Sequence, residues 1–164
     1  MYKTLLLLAL CAAGLPALAQ PPAADAATLK RGRELLFTSG CHDCHTPGFA
    51  MAGGTAPESV WLIGDKLGWN GPWGTSYATN LRLRLNDMSL VEWRAFAKAM
   101  KARPPMPYWA LNQMAESDLD AIWLVVKSLG KAGEAAPAAL PPGVEPQGPA
   151  VRFPAPPPAM AAAR

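Results

Sequence analysis

Cysteine and histidine are scarce: the 164 residues contain three cysteines and two histidines. Cys11 lies in an apolar N-terminal stretch that is expected to be removed, which leaves only Cys41 and Cys44. Two cysteines this close together exclude a disulfide framework as the staple of the fold. A structural zinc site needs further Cys or His ligands at a distance, and none remain. Charge of one sign is also lacking, with 15 Lys plus Arg against 12 Asp plus Glu and no basic block, so nothing points to nucleic acid. The one apolar run, Leu5 to Ala13, is shorter than the roughly 20 residues of a comfortable membrane span.

Against this scarcity stands Cys41-His42-Asp43-Cys44-His45. Cys-x-x-Cys-His is the pattern that attaches a haem covalently through two thioethers and supplies a proximal histidine. Two cysteines one helical turn apart can reach the two vinyl groups of one porphyrin edge, and the adjoining His45 then faces the iron. A thioredoxin-like redox pair needs the same spacing at a strand-to-helix junction, and no alternating strand pattern precedes Cys41. The expected cofactor is a single covalent haem c.

Lys3, the apolar stretch, Gly14 and Pro16 precede Ala17-Leu18-Ala19 in the order of a secretory signal peptide, with cleavage expected after Ala19. Residues 1–19 are thus expected to be lost on export to the periplasm, and Leu10 before Cys11 disfavours a lipoprotein reading. Covalent attachment of haem in bacteria takes place outside the cytoplasm, so the two readings agree independently. Without Lys3 the balance is 14 basic against 12 acidic groups, and two haem propionates bring the mature protein near neutral. Residues 20–134 are expected to form one mono-haem domain. From 135 to 164 the composition turns to Ala, Pro and Gly, which predicts a disordered or partly polyproline II tail.

Three helices are expected. Asp25 caps the first (about 26–39), where Leu29, Gly32 and Leu36 share a face and Gly40 ends it. Ser89-Leu90-Val91-Glu92 is a capping box opening the second (about 89–101), with Trp93, Phe96, Ala97 and Met100 on one face. The third (about 117–129) carries Asp118 and Asp120 in its first turn, an apolar stripe through Leu119, Ile122, Trp123, Val126 and Leu129, and Gly130 at its end. Glycine and proline break every candidate element from Thr46 to Leu83 except a short helix near Pro57 to Ile63. So long an irregular connection needs something at its centre, and a haem provides it.

A low-spin carrier needs a sixth ligand. His42 sits inside the attachment loop and cannot cross to the distal face, so methionine is the remaining strong ligand within the chain. Met1 goes with the signal, Met160 is in the tail, and Met51 is too near His45. Met88, Met100, Met106 and Met114 remain; Met100 has core spacing, whereas Met106 is held by prolines in Arg103-Pro104-Pro105-Met106-Pro107-Tyr108. A pre-organised loop loses less entropy when it holds a weak thioether on iron.

Taken together, Gly40–Gly48, Trp73-Gly74-Thr75-Ser76-Tyr77-Ala78-Thr79-Asn80-Leu81, Pro104–Trp109 with Met114 and the last helix resemble class I c-type cytochromes. The group includes small periplasmic cytochromes and cytochrome domains of bacterial dehydrogenases, and the likeness covers about Leu29 to Leu129. It implies an all-α cytochrome c fold in which the first and last helices cross, with Gly32 and Phe37 as contact candidates. It also implies Met106 as distal ligand, making His45 and Met106 the iron ligands and Cys41 and Cys44 the attachment points.

The chain departs from the group after Asn80-Leu81, where Arg82-Leu83-Arg84-Leu85 follows. Arg82 or Arg84 pairing a haem propionate is one reading, and two solvated arginines on an alternating segment is the other. Trp61, Trp69, Trp73 and Tyr77 could close the haem edge, with core packing as their alternative.

The expected function is single-electron transfer between redox proteins, a dehydrogenase or quinol-oxidising complex on one side and an oxidase or reductase on the other, without catalysis of its own. Docking is expected at an exposed haem edge ringed by Gly48, Phe49, Ala50 and the Met106 loop. A haem sensor or peroxidase-like enzyme with a labile Met106 is a second reading, and a fixed relay subunit docked through the proline-rich tail a third.

Overall fold

The computed structural model describes residues 24–154. The segment expected to be a signal peptide, with Met1 and Cys11 in it, together with Met160 and the end of the proline-rich stretch, lies outside the described residues. Six helices and a small sheet follow in the order α1 (Ala26–Thr38), α2 (Cys41–His45), β1 (Gly68–Gly71), β2 (Gly74–Tyr77), α3 (Leu81–Asn86), α4 (Leu90–Ala99), α5 (Tyr108–Gln113), α6 (Glu116–Leu129) and β3 (Ala150–Arg152), with one turn of 3-10 helix at Glu58–Val60. The fold is mixed α/β, which corrects the expectation of an all-α cytochrome c fold.

The helices with strong local signals stand where they were expected. Asp25 accepts a hydrogen bond from the Thr28 amide at 2.7 Å, and Ser89 and Glu92 close a reciprocal capping box. Gly130 ends α6 with φ 67°. Buried positions of α1 (Gly32, Leu35, Leu36) meet a face of α6 that includes Ala121 and Val125. A Cβ on Gly32 would lie 2.2 Å from the Ala121 carbonyl oxygen, so only glycine permits this approach. Phe37, in contrast, is 45% exposed and turns toward His42, Phe49 and Trp61. Trp93 of α4 donates its indole N–H to the Leu119 carbonyl at 2.8 Å, tying α4 to α6 over a core that includes Leu36, Leu85, Ile122 and Val126.

The sheet is where local reading fails. Glycines taken as breakers bound a hairpin in which Gly68 pairs with Tyr77 and Gly71 with Gly74 around Pro72-Trp73. Proline suits the first turn position, and Gly74 follows with φ 96°. β3 then lies parallel to β1, Gly68 opposite Ala150 and Asn70 opposite Arg152, giving the order β2-β1-β3. The first part of the stretch expected to be a disordered tail, residues 135–154, therefore returns to the domain. Its residues bury little side chain of their own, but its backbone groups complete a sheet edge, a contribution that composition does not report. Among the described residues no helix is long and apolar enough to cross a membrane.

Candidate haem site

α1 and α2 are joined through Gly40, whose φ of 68° turns the chain directly into Cys41–His45. Within α2, Cys41 and Cys44 are one turn apart, so both thiols leave the same side of the helix. Both are free and half-buried. Burial pushes the Cys41 thiol up to about 11 and raises Cys44 as well. Thiols held protonated are the opposite of a redox-active pair, in which one sulfur is kept as thiolate at neutral pH.

His45 is buried, and its Nδ1 lies 2.7 Å from the Thr79 carbonyl oxygen. A carbonyl can only accept, so Nδ1 carries the proton and donates it, leaving the Nε2 lone pair available. Burial pushes the His45 pKa down and so favours the neutral ring, while the bond to Thr79 opposes this in part. No donor among the described residues bonds Nε2. This is the tautomer and orientation that a metal-ligating imidazole takes from its outer partner.

The carbonyl of Thr79 is held in place from several sides. The Gly64 amide donates to the His45 carbonyl at 2.9 Å, while the Asp65 amide donates to Ala78 and the Leu81 amide to Leu62. Asn80, almost fully buried, accepts from the Leu83 amide as N-cap of α3 and donates from Nδ2 to the Ala132 and Glu134 carbonyls at 2.8 and 3.0 Å. The segment that follows α6 thus anchors Asn80, whose neighbour Thr79 fixes His45. Sequence reading missed Thr79 because a backbone carbonyl has no residue-type signature; Asn80, an N-cap residue beside a helix start, was the readable trace.

His42 lies on no open face. It is fully buried among Phe37, Phe49 and Trp61, with ring centroids 4.6 to 4.8 Å from its own. The Leu62 amide donates to Thr46 Oγ1 at 2.9 Å, and that hydroxyl stands 2.8 Å from His42 Nδ1. Nε2 is buried without a partner, and burial pushes the His42 pKa down to about 4.

Met106 is half-buried in the loop between α4 and α5, its amide donating to the Arg103 carbonyl at 3.3 Å. Met88 and Met114 pack against the hydrophobic core, Met100 is the C-cap of α4, and Met51 is 92% exposed. Of the four methionines weighed as sixth ligand, Met106 alone belongs neither to a helix or its cap nor to the packed core.

The two arginines part company: Arg84 is exposed, as the solvated reading has it, and Arg82 is not. Arg82 is buried on α3 and spends its guanidinium on three carbonyls: Gly130 at 2.7 Å, Ser59 at 3.0 Å and Leu129. It caps the C-terminus of α6 and is neither solvated nor free for a propionate. Arg84 lies over the Phe96 ring, 4.3 Å from its centroid. The indole N–H groups of Trp61 and Trp73 are likewise used internally, on the Ala56 and Trp69 carbonyls.

A scan against models of known families finds no match, and searches among curated proteins and among solved structures find none. The functional reading therefore rests on the chain itself. Among the described residues no three His, Cys, Asp or Glu side chains gather as a metal site. What α2 offers is one imidazole prepared to ligate and two neutral thiols. That donor set fits a haem bonded through carbon at the thiols and through nitrogen at iron.

Proposed function

We propose that this protein is an exported mono-haem c-type cytochrome that carries single electrons between redox proteins. The observation that carries this reading is the 2.7 Å contact from His45 Nδ1 to the Thr79 carbonyl, which leaves Nε2 free on the residue that completes Cys-x-x-Cys-His. In this reading Cys41 and Cys44 hold the haem by thioethers, and His45 and Met106 ligate its iron.

The bound haem supplies one-electron chemistry between ferrous and ferric iron. The chain's own residues do the rest. Cys41 and Cys44 would hold the group by thioethers, each S–H adding across a vinyl double bond with sulfur to one carbon and hydrogen to the other, so attachment would need no net oxidant. Thr79 keeps the proton on His45 Nδ1 and restrains the ring against rotation, which limits reorganisation when the charge on iron changes. Met106 contributes a neutral thioether, which favours the ferrous state and raises the potential relative to a second histidine. His45 and Met106 would both be committed to the iron, so no substrate site is assigned, and the partners would be a periplasmic donor dehydrogenase or quinol-oxidising complex and an acceptor oxidase or reductase.

The test is the visible spectrum of the mature holoprotein in both oxidation states, for the wild type and for Met106→Ala. The expected result is a low-spin spectrum with the weak ferric band of methionine-to-iron ligation, lost in Met106→Ala. A wild type that is high-spin, or that binds carbon monoxide readily, overturns the carrier reading in favour of a haem sensor or small enzyme.

A further inference from the structure

The Leu140 carbonyl is a junction between three segments distant in sequence. It accepts the Thr75 amide at 3.0 Å and Arg103 Nη1 at 3.0 Å, which uses both of its lone pairs, while the Leu140 amide donates back to the Thr75 carbonyl at 2.9 Å. Thr75 belongs to β2, Leu140 to the proline-rich stretch, and Arg103 to the loop that carries Met106. That loop is also tied directly to the hairpin, since Ser76 Oγ donates to the Pro104 carbonyl at 2.8 Å. Arg103 also accepts the Met106 amide through its own carbonyl, so one residue closes the turn containing Met106 and binds it to Leu140.

The hairpin is shaped to receive this stretch. At Gly74 a Cβ would lie 2.1 Å from the Leu140 carbonyl oxygen, so the close pass exists only because the side chain is absent. Further along, the Gly68 amide donates to Pro149 and the Phe153 amide to Asn70, at 2.9 and 2.8 Å. The Phe153 ring sits 5.2 Å from that of Trp73 and 6.1 Å from that of Trp69, a hydrophobic anchor at the far end.

We propose that residues 135–153 are a strap that holds the Met106 loop against the β1–β2 hairpin, with Arg103 as the positioning residue. The proposal rests on the reading of Met106 as iron ligand and adds what keeps it there. A thioether is a weak ligand, so its occupancy depends on how little freedom its loop retains when unbound. Prolines limit that freedom within the loop; the strap limits the movement of the loop as a body. Exposed hydrogen bonds such as that from Arg103 contribute little to global stability but decide local opening.

The experiment compares holoproteins carrying Arg103→Gln, Arg103→Lys and Phe153→Ala with the wild type and with a chain ending at Glu134. Three readouts are taken: the ferric methionine band, carbon monoxide binding to ferrous iron, and hydrogen exchange at the Met106 and Tyr108 amides. The expected result is a weakened band, gain of carbon monoxide binding and faster exchange in Arg103→Gln and Phe153→Ala, with the denaturation midpoint little changed. Arg103→Lys, which retains a donor, is expected to keep most of the band. If the band and the closed iron persist in Arg103→Gln and Phe153→Ala, the strap proposal fails while the carrier reading stands. Absence of a Met106-dependent band in the wild type itself overturns the ligand assignment and the strap together. Should the shortened chain fail to fold, the two point variants still decide.

Discussion

Gly64 donates its amide to the carbonyl of His45 at 2.9 Å, and it does so from a backbone with φ 81° that presses against the strand of residues carrying Thr79. A Cβ at this position would meet the Ala78 carbonyl oxygen at 2.7 Å and the Asn80 nitrogen at 2.8 Å. His45 is therefore held at both its backbone and its ring by two segments that touch only because one residue lacks a side chain. Gly64→Ala is expected to cost about 2 kcal/mol or more, from left-handed strain and displacement of residues 78–80. Because those residues carry the acceptor of His45, the variant should also shift the haem absorption bands, a combination that chemical denaturation and visible spectroscopy can check; unchanged bands would contradict the role given to Thr79.

At the crossing of α1 and α6, Gly32→Ala places a methyl group 2.2 Å from a backbone oxygen that cannot rotate away. The helices must separate, and loss of core contact along the crossing is expected to cost at least ~2 kcal/mol. Thermal unfolding of the holoprotein measures this, and a midpoint equal to that of the wild type would show that the helices do not meet as closely as described.

Arg82 serves three carbonyls at the end of α6 and beside Ser59. Arg82→Ala leaves buried acceptors unpaired and is expected to destabilise by about 3 kcal/mol. Arg84→Ala, which removes an exposed side chain lying over Phe96, is expected to cost no more than about 1 kcal/mol. The contrast between two faces of one short helix is the measurement: equal effects by urea denaturation would deny Arg82 its capping role.

His42 predicts a pH dependence. Burial lowers its pKa from the ordinary 6.5 to about 4, so the unfolded chain takes up a proton at a higher pH than the folded one. Stability from this residue is full above about pH 6.5, falls as pH drops through that value, and levels off below about pH 4, for a total on the order of 3 kcal/mol. In His42→Phe this component is absent, and the orphaned buried Nε2 goes with it. As pH falls from about 6.5 to about 4 the wild type should therefore lose stability relative to His42→Phe, whereas parallel curves would mean that His42 protonates in the folded state as readily as in the unfolded chain.

How far the fold was legible depends on the range of the interactions. Asp25, the Ser89–Glu92 box and Gly130 act within a few residues of themselves, so the helix ends they set could be read from spacing. Cys41, Cys44 and His45 likewise share one short helix, so their placement relative to one another follows from their order in the sequence. Pairing of β3 with β1 joins residues some 80 positions apart through backbone groups, about which side-chain composition is silent. A proline-rich stretch with little to bury looked structureless for that reason. Arg82 looked solvated because only the fold brings the open end of α6 to it.

The sequence by itself determined that two thiols and an imidazole stand in the order Cys-x-x-Cys-His, because residue identity and order are covalent facts. It also determined the three principal helices, whose caps and stripes are local. Only the tertiary structure decided the tautomer of His45, the work of Arg82 and the return of residues 135–154 to the sheet. Each of these depends on a backbone carbonyl or amide supplied from a distant segment, and backbone groups are the same at every residue until folding places them.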